Sequence, residues 1–325
     1  MEERIGNVIL DYTFYKGTDQ YSDGEIEDVL LSLIWKEPDV DKIIREDNRW
    51  PVLYHFSPVR QNIVEWYPFK KDASVLEIGA GCGAITGGLA KKVRSVTCVE
   101  LSRRRSLING TRNRKCDNVR IMVGNFNDIV LEEKFDYITL IGVMEYAAYY
   151  TEGKEPFRGF LENIAKLLKP DGKVLIAIEN KFGMKYWAGC REDHTGGFFD
   201  GLEGYHQTDS KVRTFGKEEL KEILNSAGYG ETQFYYPIPD YKFPQQIFSD
   251  DYLPSPEDLV CSLESYDADR LRLFDETSVF RNVVNAGKFD FFANSYFIEA
   301  GRKLRCQIEK NLFEINKREG CSFSD

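Results

Sequence analysis

The chain has 325 residues, 42% of them hydrophobic, and a formal net charge of −10. That length reads as one large domain or two modest ones with apolar residues enough for a full core, and the acidic balance argues against nonspecific nucleic-acid binding. No apolar run reaches the length of a membrane span, no signal peptide opens the chain, seven scattered cysteines without a Cys-x-x-Cys pair read as reduced thiols of a cytoplasmic protein, and three histidines assemble no zinc-ligand spacing.

In chain order, residues 5–15 alternate as a strand does and residues 17–24 are turn-rich. Ile26, Val29, Leu30, Leu33 and Ile34 then recur at helical spacing until Pro38 stops them. Ser57 followed by Pro58 reads as the N-cap and first position of another helix. Next, Val75-Leu76-Glu77-Ile78 reads as a buried parallel strand that empties into a loop with glycine at 79, 81 and 83, followed by a helix over 84–93. Glycines suit a backbone that must turn sharply and let a ligand approach. A second strand over 95–99 ends in Glu100, about twenty residues after the first glycine, where a carboxylate meets ribose hydroxyls in nucleotide-binding sheets. The Glu-x-Gly-x-Gly-x-Gly spacing differs from the dinucleotide fingerprint Gly-x-Gly-x-x-Gly.

Ser102 caps a helix running to 113 that carries Arg103, Arg104, Arg105 and Arg112, with Arg114 and Lys115 beyond it. The cluster reads as an anion or nucleic-acid patch or as a solvated helix face. The solvated face fits better, because few aromatic residues are interleaved. A third strand covers 119–123 and a fourth 135–141. A helix over 156–168, the turn Lys169-Pro170-Asp171-Gly172 and a fifth strand over 173–178 follow. Residues 179–206 mix aromatic, polar and glycine residues without a period, as a lid or substrate wall does. They hold His194 and His206, two of the three histidines. A helix over 215–227 stopped by Gly228 and a sixth strand over 231–236 come next. Residues 237–290 form an insertion with amphipathic pieces near 257–266 and 276–287. Residues 295–300 supply an antiparallel seventh strand, and 302–318 read as a charged helical tail.

The loop Glu77-Ile78-Gly79-Ala80-Gly81-Cys82-Gly83, with Glu100 and Leu168-Lys169-Pro170-Asp171-Gly172-Lys173-Val174-Leu175-Ile176, resembles the class I S-adenosylmethionine-dependent methyltransferases. Tyr54-His55-Phe56-Ser57-Pro58-Val59-Arg60, Ile141-Gly142-Val143-Met144-Glu145-Tyr146-Ala147 and Glu179-Asn180-Lys181-Phe182-Gly183 are similar to the methyltransferases of bacterial lipopolysaccharide and capsular polysaccharide biosynthesis clusters. The glycine loop is also similar to that of ribosomal adenine dimethylases, but the proline motif of adenine-amino methyltransferases is missing after the fourth strand.

The resemblance implies an α/β fold with a Rossmann-like seven-stranded sheet, an antiparallel seventh strand, a helical N-terminal cap, and an insertion between strands 6 and 7. The segments it implies are a cap over 1–67, a methyltransferase core over 68–236, a substrate or partner insertion over 237–290, the seventh strand over 291–302, and a tail or linker over 303–325. It implies S-adenosylmethionine as cofactor. Tyr54 and Arg60 of the cap would face it, beside Glu77, Gly79, Ala80, Gly81 and Gly83 of the loop and Glu100 and Leu101 at the ribose. Asn125, which otherwise reads as a turn former, and Phe126 would meet the adenine, and Ile141 and Gly142 would flank the methyl group. A general base for a hydroxyl acceptor would be Glu145, His194 or His206, with a plain structural hydrogen bond the competing role for each. Tyr146, Asn180, Tyr186 and Trp187 would line the acceptor pocket, and no metal is implied. The reading is methyl transfer, chiefly O-methylation, to a small-molecule or glycan acceptor in cell-surface polysaccharide biosynthesis. An RNA or protein methyltransferase and a non-catalytic cofactor-binding scaffold stand as alternatives. Partners would be the acceptor, a further C-terminal domain or polysaccharide-assembly proteins.

Overall fold

Alternate residues of the buried strands feed opposite faces of one sheet. The computed structural model describes residues 1–19, 21–259 and 270–302. Its strands are β1 (Glu2–Ile5), β2 (Val8–Asp11), β3 (Ser74–Ile78), β4 (Ser95–Glu100), β5 (Val119–Val123), β6 (Phe135–Ile141), β7 (Leu168–Glu179), β8 (Tyr229–Ile238), β9 (Gln246–Ser249) and β10 (Ser295–Arg302). They lie in the order β1-β2-β5-β4-β3-β6-β7-β10-β8-β9. Leu76, Ile78, Ile176 and Ile178 point to the face covered by helices Pro156–Ala165, Lys217–Ser226 and Glu276–Asn285, where they meet Leu161, Leu220 and Phe280. Val75, Leu175 and Ala177 point to the other face, against Ile63, Val64 and Leu89. Strands covered on both faces are mostly apolar, and all five residues of β3 are buried, Ser74 and Glu77 included.

The sheet has ten strands, where seven were expected. The expected order survives in the middle, with β5-β4-β3-β6-β7 parallel and β10 antiparallel to both β7 and β8. The additions cover its two edges, whose unpaired backbone groups seek partners. Residues 5–15 are not one strand: a turn at Gly6 (φ 61°) folds the N-terminus into the β1–β2 hairpin, and β2 pairs parallel with β5. At the other edge, β9 from within residues 237–290 pairs antiparallel with β8.

Smaller differences are local. Ser57 accepts from the Val59 N–H as a cap, but the chain enters a 3-10 turn, Pro58–Gln61, and only a short helix, Asn62–Glu65. The expected turn at Lys169-Pro170-Asp171-Gly172 is absorbed into a longer, irregular β7. Residues 260–266 of the expected piece near 257–266, and the tail beyond 302, lie outside the described residues. Among the described residues, no helix is long and apolar enough to cross a membrane.

Candidate active site

The turn after β3 needs glycine for two separate reasons. Gly79, Gly81 and Gly83 all have positive φ, at 71°, 53° and 76°. At Gly79 a Cβ would also lie 2.5 Å from Val143 Cγ2, and at Gly83 it would lie 2.4 Å from Asn109 Oδ1. Nothing lies within 4 Å of a Cβ at Gly81, whose backbone faces open space. Glu100, at the end of β4, fixes this loop: one carboxylate oxygen accepts from Gly81 N–H at 2.7 Å, the other from Ser102 N–H at 3.0 Å. Glu77 lies beneath the loop, fully buried, accepting from Thr86 Oγ1 at 2.6 Å and from the Cys98 thiol at 3.3 Å. Burial pushes its carboxyl up to about 7 despite those donors.

The N-terminal helices lean on the same loop. Leu30, Ile34, Ile43, Val52 and Phe56 form a small core that closes over Cys82 of the loop and Ile108 of helix Arg103–Arg112. Arg104, Arg105 and Arg112 serve this joint, which corrects the solvated-face reading for these three, whereas Arg103 and Lys115 are exposed. Arg105 pairs with Glu27, fully buried, at 2.7 Å and with Asp23; Arg104 pairs with Asp28 at 3.2 Å. Arg112 donates to the carbonyl oxygens of His55 and Phe56. Arg60 is buried with its guanidinium 4.0 Å from the Tyr54 ring centre, and its Nε has no hydrogen-bond partner.

Between cap, loop and the carboxyl ends of β4 and β6 lies a cleft of about 520 Å³, within the size range of small-molecule sites. The structure brings most of the sequence-derived candidates to its walls. Tyr54 and Arg60 come from the cap, and Glu77, Gly79, Ala80 and Gly81 from the loop region. Glu100 and Leu101 follow β4, Asn125 and Phe126 follow β5, and Ile141, Gly142, Glu145 and Tyr146 follow β6, with His194 from the 179–206 segment. Asn125 lines the cleft, and its Oδ1 accepts from Asn127 N–H at 3.0 Å, which leaves one lone pair unused by that bond.

Five candidates stand outside this wall. Gly83 is a packing glycine pressed against Asn109 and Asn113. Asn180 is buried and ties two backbone carbonyls, Phe291 and Ala293, both at 2.7 Å. The Tyr186 hydroxyl donates to Asp193 at 2.6 Å from a fully packed position. Trp187 lies on the surface with its indole N–H on the Phe182 carbonyl, and His206 is exposed beside Gly204. Gly83, Asn180, Tyr186 and Trp187 answer local packing or hydrogen-bonding needs, which residue type and neighbourhood in sequence did not reveal.

The acceptor-side wall is a dense charge cluster. His194 Nε2 lies 3.4 Å from Glu179 Oε2, and its Nδ1 lies 3.0 Å from the Tyr146 hydroxyl. Lys242 Nζ sits 2.9 Å from Glu179 Oε1 and also pairs with Asp193, which Lys185 holds from the other side at 2.8 Å. Glu145 is fully buried, and neither of its carboxylate oxygens has a partner. Burial, then the charge of Glu179, push Glu145 above the usual carboxylate range. Burial opposes ionisation of Glu179 as well, but Lys242 and His194 hold it below that range. For His194, burial favours the neutral ring, yet the Glu179 charge and hydrogen bond raise it to about 9. Sequence reasoning missed Glu179 and Asp193 as members of this wall, and Lys242 and Tyr241, which the 237–290 insertion brings in. Only the order of charges near strand ends hinted at the first pair, and no local signal marked the second.

Residues 54–231 match the family described as "Methyltransferase domain". An uncharacterized methyltransferase of Staphylococcus carnosus is 29% identical over 160 residues, covering 48% of this chain and 70% of that protein. The ubiquinone biosynthesis O-methyltransferase of Coxiella burnetii is 28% identical over 139 residues, 40% of this chain and 53% of its own length, so the match spans about half of that relative. Among solved structures, Haemonchus contortus phosphoethanolamine N-methyltransferase 1, in complex with phosphoethanolamine and S-adenosylhomocysteine, aligns over 86% of this chain and 49% of its own, at 13% identity and a TM-score of 0.47.

Proposed function

The chain belongs to the methyltransferase-domain family and is an S-adenosylmethionine-dependent methyltransferase, and from that premise we propose that it methylates a hydroxyl oxygen of a small-molecule or glycan acceptor. The observation that carries this reading is the shared cleft: the glycine loop with Glu100 forms one wall, and Glu145, His194 and Tyr146 form the other. The cofactor suits the first wall. The open backbone at Gly81 leaves room for its chain, and the cation of Arg60 on the cleft wall suits its carboxylate. Glu100 is assigned to the ribose hydroxyls, and Asn125 with Phe126 to the adenine.

When bound, the cofactor supplies a methyl carbon on a sulfonium; the acceptor oxygen bonds to that carbon as the carbon–sulfur bond breaks, and the hydroxyl proton leaves to solvent. This chain's own residues contribute position and exclusion of water. Glu145 and His194 face the acceptor, Tyr146 orients the imidazole, and the cap closes the cofactor end. A glycan acceptor and a role in cell-surface polysaccharide biosynthesis rest on the sequence resemblance of residues 54–60, 141–147 and 179–183. The 237–290 segment is assigned to acceptor specificity because Tyr241 and Lys242 reach the cleft. An RNA methyltransferase would call for a continuous basic strip beside the cleft, and the engagement of Arg104, Arg105 and Arg112 with the cap weighs against that alternative.

The test is calorimetric titration of the chain with S-adenosylhomocysteine, followed by release of that product from S-adenosylmethionine with nucleotide sugars, lipid-linked oligosaccharides, RNA and protein as acceptors. Binding that is lost in Glu100→Ala, with turnover on the sugar panel, is the expected result. A wild-type chain that fails to bind, or that methylates only RNA or protein, overturns the reading.

A further inference from the structure

We propose that Glu145, Glu179 and His194 form a binding site for one divalent first-row transition cation on the acceptor side of the cleft. The inference rests on the methyltransferase reading for its role, though not for its geometry. One carboxylate oxygen of each glutamate and one ring nitrogen of the histidine lie within 4.8 Å of one another. Bonds of about 2.0–2.2 Å to a common centre space cis ligands about 3 Å apart, and Glu179 Oε2 and His194 Nε2 stand 3.4 Å apart, so that pair is already close to the spacing a cation imposes.

A cluster of acids alone would not suffice, and Glu145 supplies the independent observation. It is fully buried, and both oxygens lack any hydrogen-bond partner among the described residues, although they face two other donor groups. An unpaired carboxylate in such a place is costly unless a cation or proton meets it. Its neighbours already have partners. Lys242 serves the far oxygen of Glu179 and pairs with Asp193, and Lys185 serves Asp193 and Asp240. The lysines thus pair directly with the outer ring, and neither oxygen of Glu145 receives a hydrogen bond.

The support around the ligands is that of a metal site. His194 Nδ1 meets the Tyr146 hydroxyl at 3.0 Å, an outer hydrogen bond of the kind that fixes which nitrogen faces a metal. Its backbone N–H is held by Glu192 at 2.7 Å. Two carboxylates and one imidazole favour Mn²⁺, Fe²⁺ or Zn²⁺ over Ca²⁺. Three protein ligands leave positions open, and the cleft lies beside them. An acceptor hydroxyl entering an open position would have its pKa lowered by the cation, with its proton passing to bulk water and its oxygen held for attack on the methyl carbon. The donors come from the ends of β6 and β7 and from the segment after β7, which is why ligand spacing along the chain did not reveal them.

The test uses the full chain stripped with a chelator and titrated with Mn²⁺, Zn²⁺ or Mg²⁺ by calorimetry, with Mn²⁺ also followed by electron paramagnetic resonance. The expected result is one equivalent of Mn²⁺ or Zn²⁺ bound, weakened at least tenfold in Glu145→Gln and in His194→Ala, and unchanged in Glu133→Gln. Titration with S-adenosylhomocysteine runs in parallel, with thermal melting to confirm folding of each variant. If one of the two ligand variants fails to fold, the other carries the comparison. No uptake of Mn²⁺ or Zn²⁺, uptake indifferent to both substitutions, or binding of Mg²⁺ alone overturns the site. S-adenosylhomocysteine bound without cation uptake refutes this site and leaves the methyltransferase reading standing. Cation uptake without S-adenosylhomocysteine binding does the reverse.

Discussion

Two buried side chains carry opposite kinds of information at the scale of the single residue. Arg60 is buried with its guanidinium 4.0 Å from the Tyr54 ring centre, its Nε has no hydrogen-bond partner, and the residue lines the cleft, so an anion arriving there meets a cation that is already desolvated. Arg60→Met keeps the packing and removes that cation. S-adenosylhomocysteine affinity should fall at least tenfold, about 1.4 kcal/mol, while unfolding stability holds or rises; equal affinity by calorimetry would remove Arg60 from the cofactor site. Glu77 is the converse, a carboxyl whose cost is set by the fold. Its folded pKa of about 7 lies above the ordinary 4.5, so between those values the native chain keeps a proton that the unfolded chain has released. Stability contributed by this group is therefore complete below about pH 4.5, falls as pH rises toward 7, and levels off above it. The full span is on the order of 3 kcal/mol. Urea unfolding at pH 5 and pH 8 should show a smaller loss in Glu77→Gln than in the wild type, and an identical loss in both would exclude Glu77 as the source.

Whole elements meet at the joint between the cap and the arginine-bearing helix. Helix Ile26–Lys36 buries Glu27 completely, and Arg105 reaches from helix Arg103–Arg112 to pair with it. Removing one partner of such a pair leaves a buried charge and costs about 3–5 kcal/mol. Arg105→Met should accordingly lower the urea midpoint by several kcal/mol equivalent and loosen the cap, read as faster protease cleavage within residues 1–56. Since Arg105 also lines the cleft, S-adenosylhomocysteine affinity should drop with it. A loss under 1 kcal/mol would mean that Arg104 and the hydrogen bonds from Ser22 and Asp23 suffice for Glu27. The same reasoning explains why a run of arginines on an acidic chain was misjudged: their partners lie about eighty positions earlier, beyond the reach of any helical spacing.

Across the whole molecule, the cleft joins the cap, the loop after β3, and the ends of β4, β5 and β6, so a ligand bound there draws on several elements at once. A ligand that binds only the native state, at a hundred times its Kd, stabilises by about 2.7 kcal/mol. S-adenosylhomocysteine should raise the melting temperature of the wild type by a few degrees and leave that of Gly79→Ala unchanged, because a Cβ at Gly79 strains a left-handed turn and meets Val143. A melting shift of equal size in both would show that the loop after β3 is not the cofactor's seat. The central strands, the glycine loop and the position of Glu100 were legible from the sequence because local rules govern them: buried strands are mostly apolar, and sharp turns with positive φ favour glycine. The edge strands β1, β2 and β9 were not, since pairing at a sheet edge depends on backbone groups that any short segment can offer. Nor was the acceptor wall, where Glu145, Glu179, His194 and Lys242 converge from separate parts of the chain. Local periodicity determined which strands are buried and where the cofactor loop turns; only the tertiary structure decided which charges meet, because Coulomb partners are chosen by distance in space and not along the chain.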